Sequence, residues 1–542
     1  MERGDASQPN TGEAQQSQGM SVRSFMTSLV IYGSICVGVL FFETAAHKRW
    51  YSKRFPNANT PPWSIKWPSN RTTAITCHGL DGFLFIRFLR TVVKIFLPLN
   101  LMVTGILLPI DLTADNSSTV HGLDRMTWAN VQPGDGPRDW AHAVVTATAV
   151  VYICYVLVGE FRALAEIRQE YPLTPHPLPK LLLLTDIPKE KGSKEALATA
   201  YAGFGDGPLR ISVNTGLDRR YLSAFLEFTN PLIPHILQQV VQDARPMSMI
   251  AHAVGSESDV IRSSLSRSWR GRLFRRVLFE ALIIALCIFL AVPIGFTGML
   301  SQISYLNQKL ATWLGLIEGF LPQFILSILM IFFPFVLVHL VKRQGLLTYT
   351  HMELSLDGYY FVFLYIQVFL VVTISSSLVT VFQEVLKSPE SVPYILATNI
   401  PKSSNYFYSY FLLQCIIQCA VSLRLLPHIF LCAKPWVRWR IGMEKTPVRW
   451  GLIYPVFSKV ETGGLLYWRT LHQLFGGIYT AELCVFGLLI LHNARFQAVF
   501  LGLVFIFTGC FQYLVFQVYG PVVRHLSATS MRWNGTIVSK AL

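Results

Sequence analysis

The chain has 542 residues, of which 52% are hydrophobic and only 14% charged, with a mean hydropathy of +0.42. Soluble globular domains carry about a quarter charged residues, so this composition excludes an ordinary soluble enzyme or binding module and indicates a polytopic membrane protein. The net charge of +15 does not point to nucleic acid: most basic residues flank apolar runs, where they set topology and meet anionic lipid.

In chain order, residues 1–21 are rich in Gln, Ser and Gly and predict a disordered tail. The first apolar run, Val22–Thr44, follows that tail and is long enough to span, so it reads as a helix rather than a cleavable signal. It ends in a basic, aromatic cluster from His47 to Arg54, which the positive-inside rule assigns to the cytoplasm, with the N-terminus outside. A second span, Val92–Leu112, carries Pro98, Asn100 and Pro109 and is expected to kink. The outer loop that follows holds a glycosylation candidate, Asn116, in Asn-Ser-Ser. Trp140–Val158 returns to the cytoplasm, completing an N-terminal transmembrane region over 22–158.

Residues 159–276 form the sizeable soluble segment. Strands are predicted at Leu181–Ile187, Leu209–Asn214, Ser223–Thr229 and Met247–Val254, and helices at Ser193–Phe204 and Pro231–Asp243. The order βαββαβ predicts a small ferredoxin-like α+β domain. Six arginines between Arg262 and Arg276 place its end in the cytoplasm. Four more spans follow over 277–432, namely Val277–Thr297, Leu321–Val341, Asp357–Glu384 and Tyr406–Cys432. A basic cytosolic loop (433–469), a hairpin of spans Thr470–Leu491 and Gln497–Tyr519 (470–519), and a cytosolic tail (520–542) complete the chain. The fold class is thus an all-α polytopic membrane protein of about nine helices, N-terminus out and C-terminus in, with one α+β cytosolic domain.

Asp357–Glu384 is the stretch of most chemical interest. Gln367 lies near its middle, and Thr373, Ser375, Ser376, Ser377 and Thr380 crowd its second half. Buried polar atoms need partners, so these groups either bond to neighbouring helices or line a wet path. Glu384 stands at its outer end, where it could attract cations. Pro293, Gly295 and Pro334 interrupt adjacent spans, as helices lining a cavity often are. Among intramembrane ionisable groups, Glu482 is a functional or pairing candidate, Arg424 can snorkel, and Glu280 lies at an inner mouth. No phosphate loop, zinc-protease or nucleophile-elbow motif occurs, and His339, His428 and His472 sit near an interface where a lone His is usually structural. Neither an enzyme nor a cofactor is expected, and the nine scattered Cys suggest no metal site.

Several ordered blocks resemble the fungal branch of the OSCA-type calcium-permeable stress-gated cation channels, which are related to anoctamins. They are Leu80–Ile110, Gly122–Val131, Val292–Leu306, Tyr359–Leu378, Ser391–Gln414 and Thr462–Leu488. The resemblance implies eleven helices and an RNA-recognition-like domain between the third and fourth. It further implies a channel of the plasma membrane or an endomembrane, often dimeric, opened by tension or hyperosmotic shock and passing cations amid membrane lipids. On this basis Gln367 and Phe369 fall on the pore side of their helix and Glu384 near the outer mouth; the polar run itself adds Thr373 and Ser376 as candidates for the same wall. Two departures stand out. Long helical arms expected between about Asp218 and Tyr221 are missing, and Pro455–Lys459 runs almost directly into Glu461–Gly464, where the family has two further helices. Lipid scrambling through an open groove, or a non-conducting shortened relative, are the alternatives that these departures raise.

Overall fold

The computed structural model describes residues 71–114, 125–131, 135–170, most of 181–300, 315–371 and 462–524, with scattered positions in 26–41 and 407–415. The described residues between 26 and 41 are helical, within the first predicted span. The N-terminal tail, Asn116, Arg424, His428, most of Tyr406–Cys432, most of the 433–469 loop and residues 525–542 lie outside the described residues, and 520–524 of the predicted tail belong to the last helix.

Helix α1, Arg71–Met102, begins 21 residues before the predicted second span and carries Pro98 without ending. It opens into a π-helical turn at Val103–Leu107 before a short helix α2, Leu108–Leu112. Pro109 stands in the first turn of α2, and its missing N–H is a plain reason for the preceding turn to widen. Helix α3, Gly136–Glu170, is 35 residues long and outruns the predicted span by 12.

The α+β domain follows. It consists of β1 (Leu181–Ile187), α4 (Lys194–Tyr201), β2 (Pro208–Thr215), β3 (Leu222–Phe228), α5 (Leu232–Gln239) and β4 (Ile250–Val254). Ser193 caps α4 by accepting from the Ala196 amide at 3.1 Å. The sheet order is β2-β3-β1-β4 with every neighbour antiparallel, the split arrangement of a ferredoxin-like domain. Strands β2 and β3 pair up to Thr215 opposite Leu222, so the connection between them has no room for long arms.

Because side chains alternate along a strand, β1 serves two cores. Leu182 and Leu184 pack with α4 and α5. Leu183 packs on the opposite face with Phe225, Val254, Val260 and Leu265. Val260 and Leu265 flank and end the short helix α6, Arg262–Leu265.

Helices α7 (Trp269–Leu300), α8 (Gly315–Arg343) and α9 (Tyr349–Phe363) come next, and α9 continues as a π-helical segment, Leu364–Val371. They share a core of Ile283, Ile294, Phe333, Leu337, Leu356 and Phe363. Helices α10 (Leu465–Leu491) and α11 (Arg495–Arg524) form the predicted terminal hairpin and pack with α1 and α3 around Phe161, Tyr467, Leu471 and Phe475. Six helical segments among the described residues are long and apolar enough to cross a membrane. Their outward faces are apolar, as Phe96 and Leu97 on α1 and Phe289 and Val292 on α7 illustrate.

Candidate functional site between α7, α9 and α10

The helix of interest begins earlier than its composition suggests, at Tyr349 rather than Asp357. The Thr348 hydroxyl accepts from the His351 amide at 3.2 Å. Asp259, reaching over from the α+β domain, accepts from the Thr350 amide and hydroxyl, both at 3.0 Å. These two caps satisfy amides that a helix start leaves orphaned and place a carboxylate at its positive end. Burial raises the Asp259 carboxyl above its ordinary range, against the lowering effect of the Thr350 bonds.

Along α9, polar side chains tie the helix to both neighbours. Tyr359 donates to Glu280 of α7 at 2.9 Å, and Glu280 also pairs with Arg276 at 3.0 Å. Asp357 accepts from Gln473 of α10 at 2.8 Å. At the start of the π segment, Tyr365 meets the Thr480 hydroxyl of α10 at 2.6 Å.

Gln367 lies inside the π segment and is 3% exposed. Its Nε2 donates to the main-chain carbonyl of Cys287 at 2.7 Å, while its Oε1 has no partner. A buried acceptor without a donor is costly, and single-turn π distortions concentrate at functional positions. Phe369 is partly buried in a chain of rings, 6.0 Å from Tyr365 and 6.0 Å from Phe407. The structure therefore brings Gln367 and Phe369 together with Cys287, Tyr365 and Phe407. Thr373, Ser376 and Glu384 lie outside the described residues.

The other ionisable candidates divide clearly. Glu482 is fully buried between α10 and α11, bonded to Thr508 at 2.6 Å with its second oxygen unpartnered. His472 sits in a nest of Phe161, Trp468, Phe475 and Phe516, whose ring centroids lie 4.4–6.1 Å away, as befits a structural role. His339 is exposed. Among the described residues, no group of three or more His, Cys, Asp or Glu side chains is placed to hold a metal.

Three polar clusters were not legible from the sequence. Asp81 of α1 accepts from the Thr462 amide, from its hydroxyl at 3.0 Å and from the Gly464 amide at 2.8 Å, and so caps α10 from another helix. Gly464 has φ +85°, and a Cβ there would lie 2.9 Å from Leu84, so the backbone needs glycine. Glu160 of α3 accepts from Arg87 at 2.5 Å and from Tyr467 at 2.9 Å. A third cluster, around His142 and His492, stands at the other end of α3. A charged residue inside an otherwise apolar helix is the available signal, but in the first two clusters the partners are separated by 73 to 383 residues.

These features define a polytopic membrane protein with an antiparallel α+β domain inserted between two groups of apolar helices. Two family models match it. One, described as "Calcium-dependent channel, 7TM region, putative phosphate", matches residues 275–458, and the other, "Late exocytosis, associated with Golgi transport", matches 24–160. An uncharacterized membrane protein of Schizosaccharomyces pombe is 30% identical over 310 residues, covering 45% of this chain and 35% of its own. The "Hyperosmolality-gated Ca2+ permeable channel 1.7" of Arabidopsis thaliana is 21% identical over 437 residues, covering 62% and 55%. The "CSC1-like protein ERD4" of Brassica juncea is 22% identical over 540 residues, covering 77% and 74%. Over these stretches the chain is similar to a family described as calcium-dependent channels and to relatives named as Ca2+-permeable channels, in keeping with its resemblance to the OSCA-type proteins. It spans about a third of the length of the yeast relatives it matches.

Proposed function

We propose that this chain is a calcium-permeable cation channel gated by membrane tension or hyperosmotic stress, acting at the plasma membrane as a homodimer with nine spans and its N-terminus outside. The observation that carries the reading is the π-helical segment Leu364–Val371, which holds a half-satisfied Gln367 against α7 within the region that matches the channel family. Gln367, Phe369, Thr373 and Ser376 line the path, and Glu384 stands at its outer mouth. Tension favours whichever state of α7–α9 occupies more membrane area, by differential stability alone. The α+β domain is cytosolic and holds the inner end of α9 through Asp259.

Patch clamp of the purified chain in liposomes tests this. Stretch-activated cation current is expected, and a Glu384→Gln variant loses a severalfold share of conductance or of calcium preference. Absence of any stretch current in an intact, oriented preparation overturns the reading, and an unchanged Glu384→Gln current removes that residue from the mouth.

A second reading, lipid scrambling through an open polar groove, is favoured by one observation. The family region described as seven-transmembrane matches over 275–458, where the sequence carries four predicted spans, and α10 begins at Leu465. Flip of a fluorescent lipid without stretch current would select this reading, and silence in both assays a non-conducting relative.

A further inference from the structure

The third cluster lies at the N-terminal end of α3, about 40 Å along that helix from the α+β domain. It joins four elements. His142 Nε2 meets Asp111 Oδ1 at 2.9 Å, linking α3 to α2. Trp128, in a short turn, donates its indole N–H to His492 Nε2 at 2.8 Å, linking that turn to the α10–α11 connection. His492 Nδ1 lies 3.3 Å from Asp139 Oδ1 of α3. The Trp128 ring also rests on His142, 4.1 Å between centroids. Asn130, two residues on, donates to the carbonyls of Asp111 at 2.7 Å and Ala114 at 3.0 Å. All six side chains are buried.

Hydrogen counting fixes the state of His492. An indole nitrogen only donates, so His492 Nε2 must be an unprotonated acceptor. Nδ1 then carries the ring's single proton and donates to Asp139. His492 is thus neutral, and it can gain a proton only at the atom Trp128 occupies. Two N–H donors would then face one another. Asp139 meanwhile is 1% exposed and its Oδ2 has no partner, so a buried acceptor is already in place beside the ring that would become cationic.

We propose that this cluster is a proton-binding site, and that proton uptake at His492 Nε2 releases the Trp128–Asn130 turn from the α10–α11 connection. The balance is simple: one proton is bound at Nε2, the Trp128–His492 hydrogen bond is lost, and an imidazolium–carboxylate pair with Asp139 replaces it. The surrounding charges are Asp111 on α2, the Asp135–Arg138 pair at the start of α3 (2.9 Å), Asp139 and His142 on α3, and the exposed Arg495 on α11. From the α11 side Gln497 is buried nearby, 3.4 Å from the Gly136 carbonyl. Burial lowers the His492 imidazole from its ordinary range, and Asp139 beside it acts in the opposite sense, favouring uptake of one proton. With the α+β domain in the cytoplasm the site faces outside, where acidification would reach it. The inference does not depend on whether the chain conducts.

Hydrogen exchange of the full chain in nanodiscs tests it, compared between pH 7.5 and pH 5 after correction for the intrinsic pH dependence of exchange. The amides of 128–131 are expected to exchange at least tenfold faster at the lower pH. A His492→Gln variant, whose amide can accept from Trp128 and donate to Asp139 without titrating, is expected to abolish that change. Trp128→Phe supplies an independent arm: its turn should exchange fast at both pH values. A wild-type turn equally protected at both pH values overturns the proposal, as does an acid response that persists in His492→Gln. If His492→Gln does not fold, a Trp128→Phe turn that stays protected at pH 7.5 overturns it instead.

Discussion

Gln367 is the residue whose two roles can be separated by substitution. Its bond to Cys287 holds the π segment against α7, yet its unpartnered Oε1 costs stability. Replacing it with Leu loses one hydrogen bond worth about 1 kcal/mol and relieves an orphan acceptor of similar cost. The expected change in stability for Gln367→Leu is therefore within about 1 kcal/mol, measurable as a small shift in thermal unfolding in detergent. If Gln367 also contributes to a permeation path, unitary conductance falls while the protein remains folded. A severely destabilised Gln367→Leu protein would mean that the amide's packing role dominates. A lone amide in an apolar run makes this residue conspicuous in the sequence. The sequence cannot reveal that the first partner is a backbone carbonyl 80 residues away, since main-chain acceptors leave no trace in side-chain composition.

At the scale of elements, several backbone and side-chain bonds tie the α+β domain to the start of α9. Asp259 caps the helix, the Ile261 amide donates to Leu347 O at 2.9 Å and Val260 bridges to Thr348, while Arg272 of α7 separately pairs with Asp186 at 2.5 Å. Removing the carboxylate in Asp259→Ala should cost about 1–2 kcal/mol, the usual range for a lost cap. It should also raise protection loss at 348–352 in hydrogen exchange, and shift the tension needed for opening if the domain restrains α9. Exchange at 348–352 indistinguishable from wild type would show that Thr348 alone suffices as a cap. The strands and helices of this domain were legible because a four-residue apolar run flanked by polar residues marks a buried strand, and Ser193 marks a helix start. Hydropathy marks the long helices but makes them too short, α3 by 12 residues at its end and α1 by 21 at its start. Hydropathy alone stops at Asp81, Arg87, Glu160 and Arg168, whereas the helices continue because each of these charges has a partner within the bundle.

On the scale of the whole molecule, two helical groups and one domain share responsibility for the fold. The group of α1, α3, α10 and α11 closes around Phe161 and Tyr467, and the group of α7, α8 and α9 around Phe333 and Phe363. Asp357–Gln473 and Tyr365–Thr480 join the groups in the bilayer, and α6 joins the domain to the second group. The domain's own stability should depend on pH through His252 on β4. Burial, together with His351 and Arg272, holds its imidazole at about 4, below the ordinary 6.5. The unfolded chain therefore binds this proton more readily. Its stabilising contribution is complete above pH 6.5 and is lost as pH falls toward 4, amounting to about 3 kcal/mol. Melting of the domain should fall over that window in wild type and flatten in His252→Asn; parallel melting curves in the two proteins would exclude His252 as the source.

The clamp that Asp81 places on the start of α10 also has a consequence for how the protein is made. Its carboxylate enters the membrane with α1, but the Thr462 and Gly464 amides that satisfy it are synthesised 381 and 383 residues later. At a translation rate of about 5–20 residues per second, that is a wait of roughly 20–75 s. During that time an anion near the end of an apolar helix must remain at the lipid–water boundary or be shielded by the insertion machinery. The terminal hairpin thus works as a late-arriving key, and cells short of membrane chaperones should accumulate this chain with α1 incompletely seated.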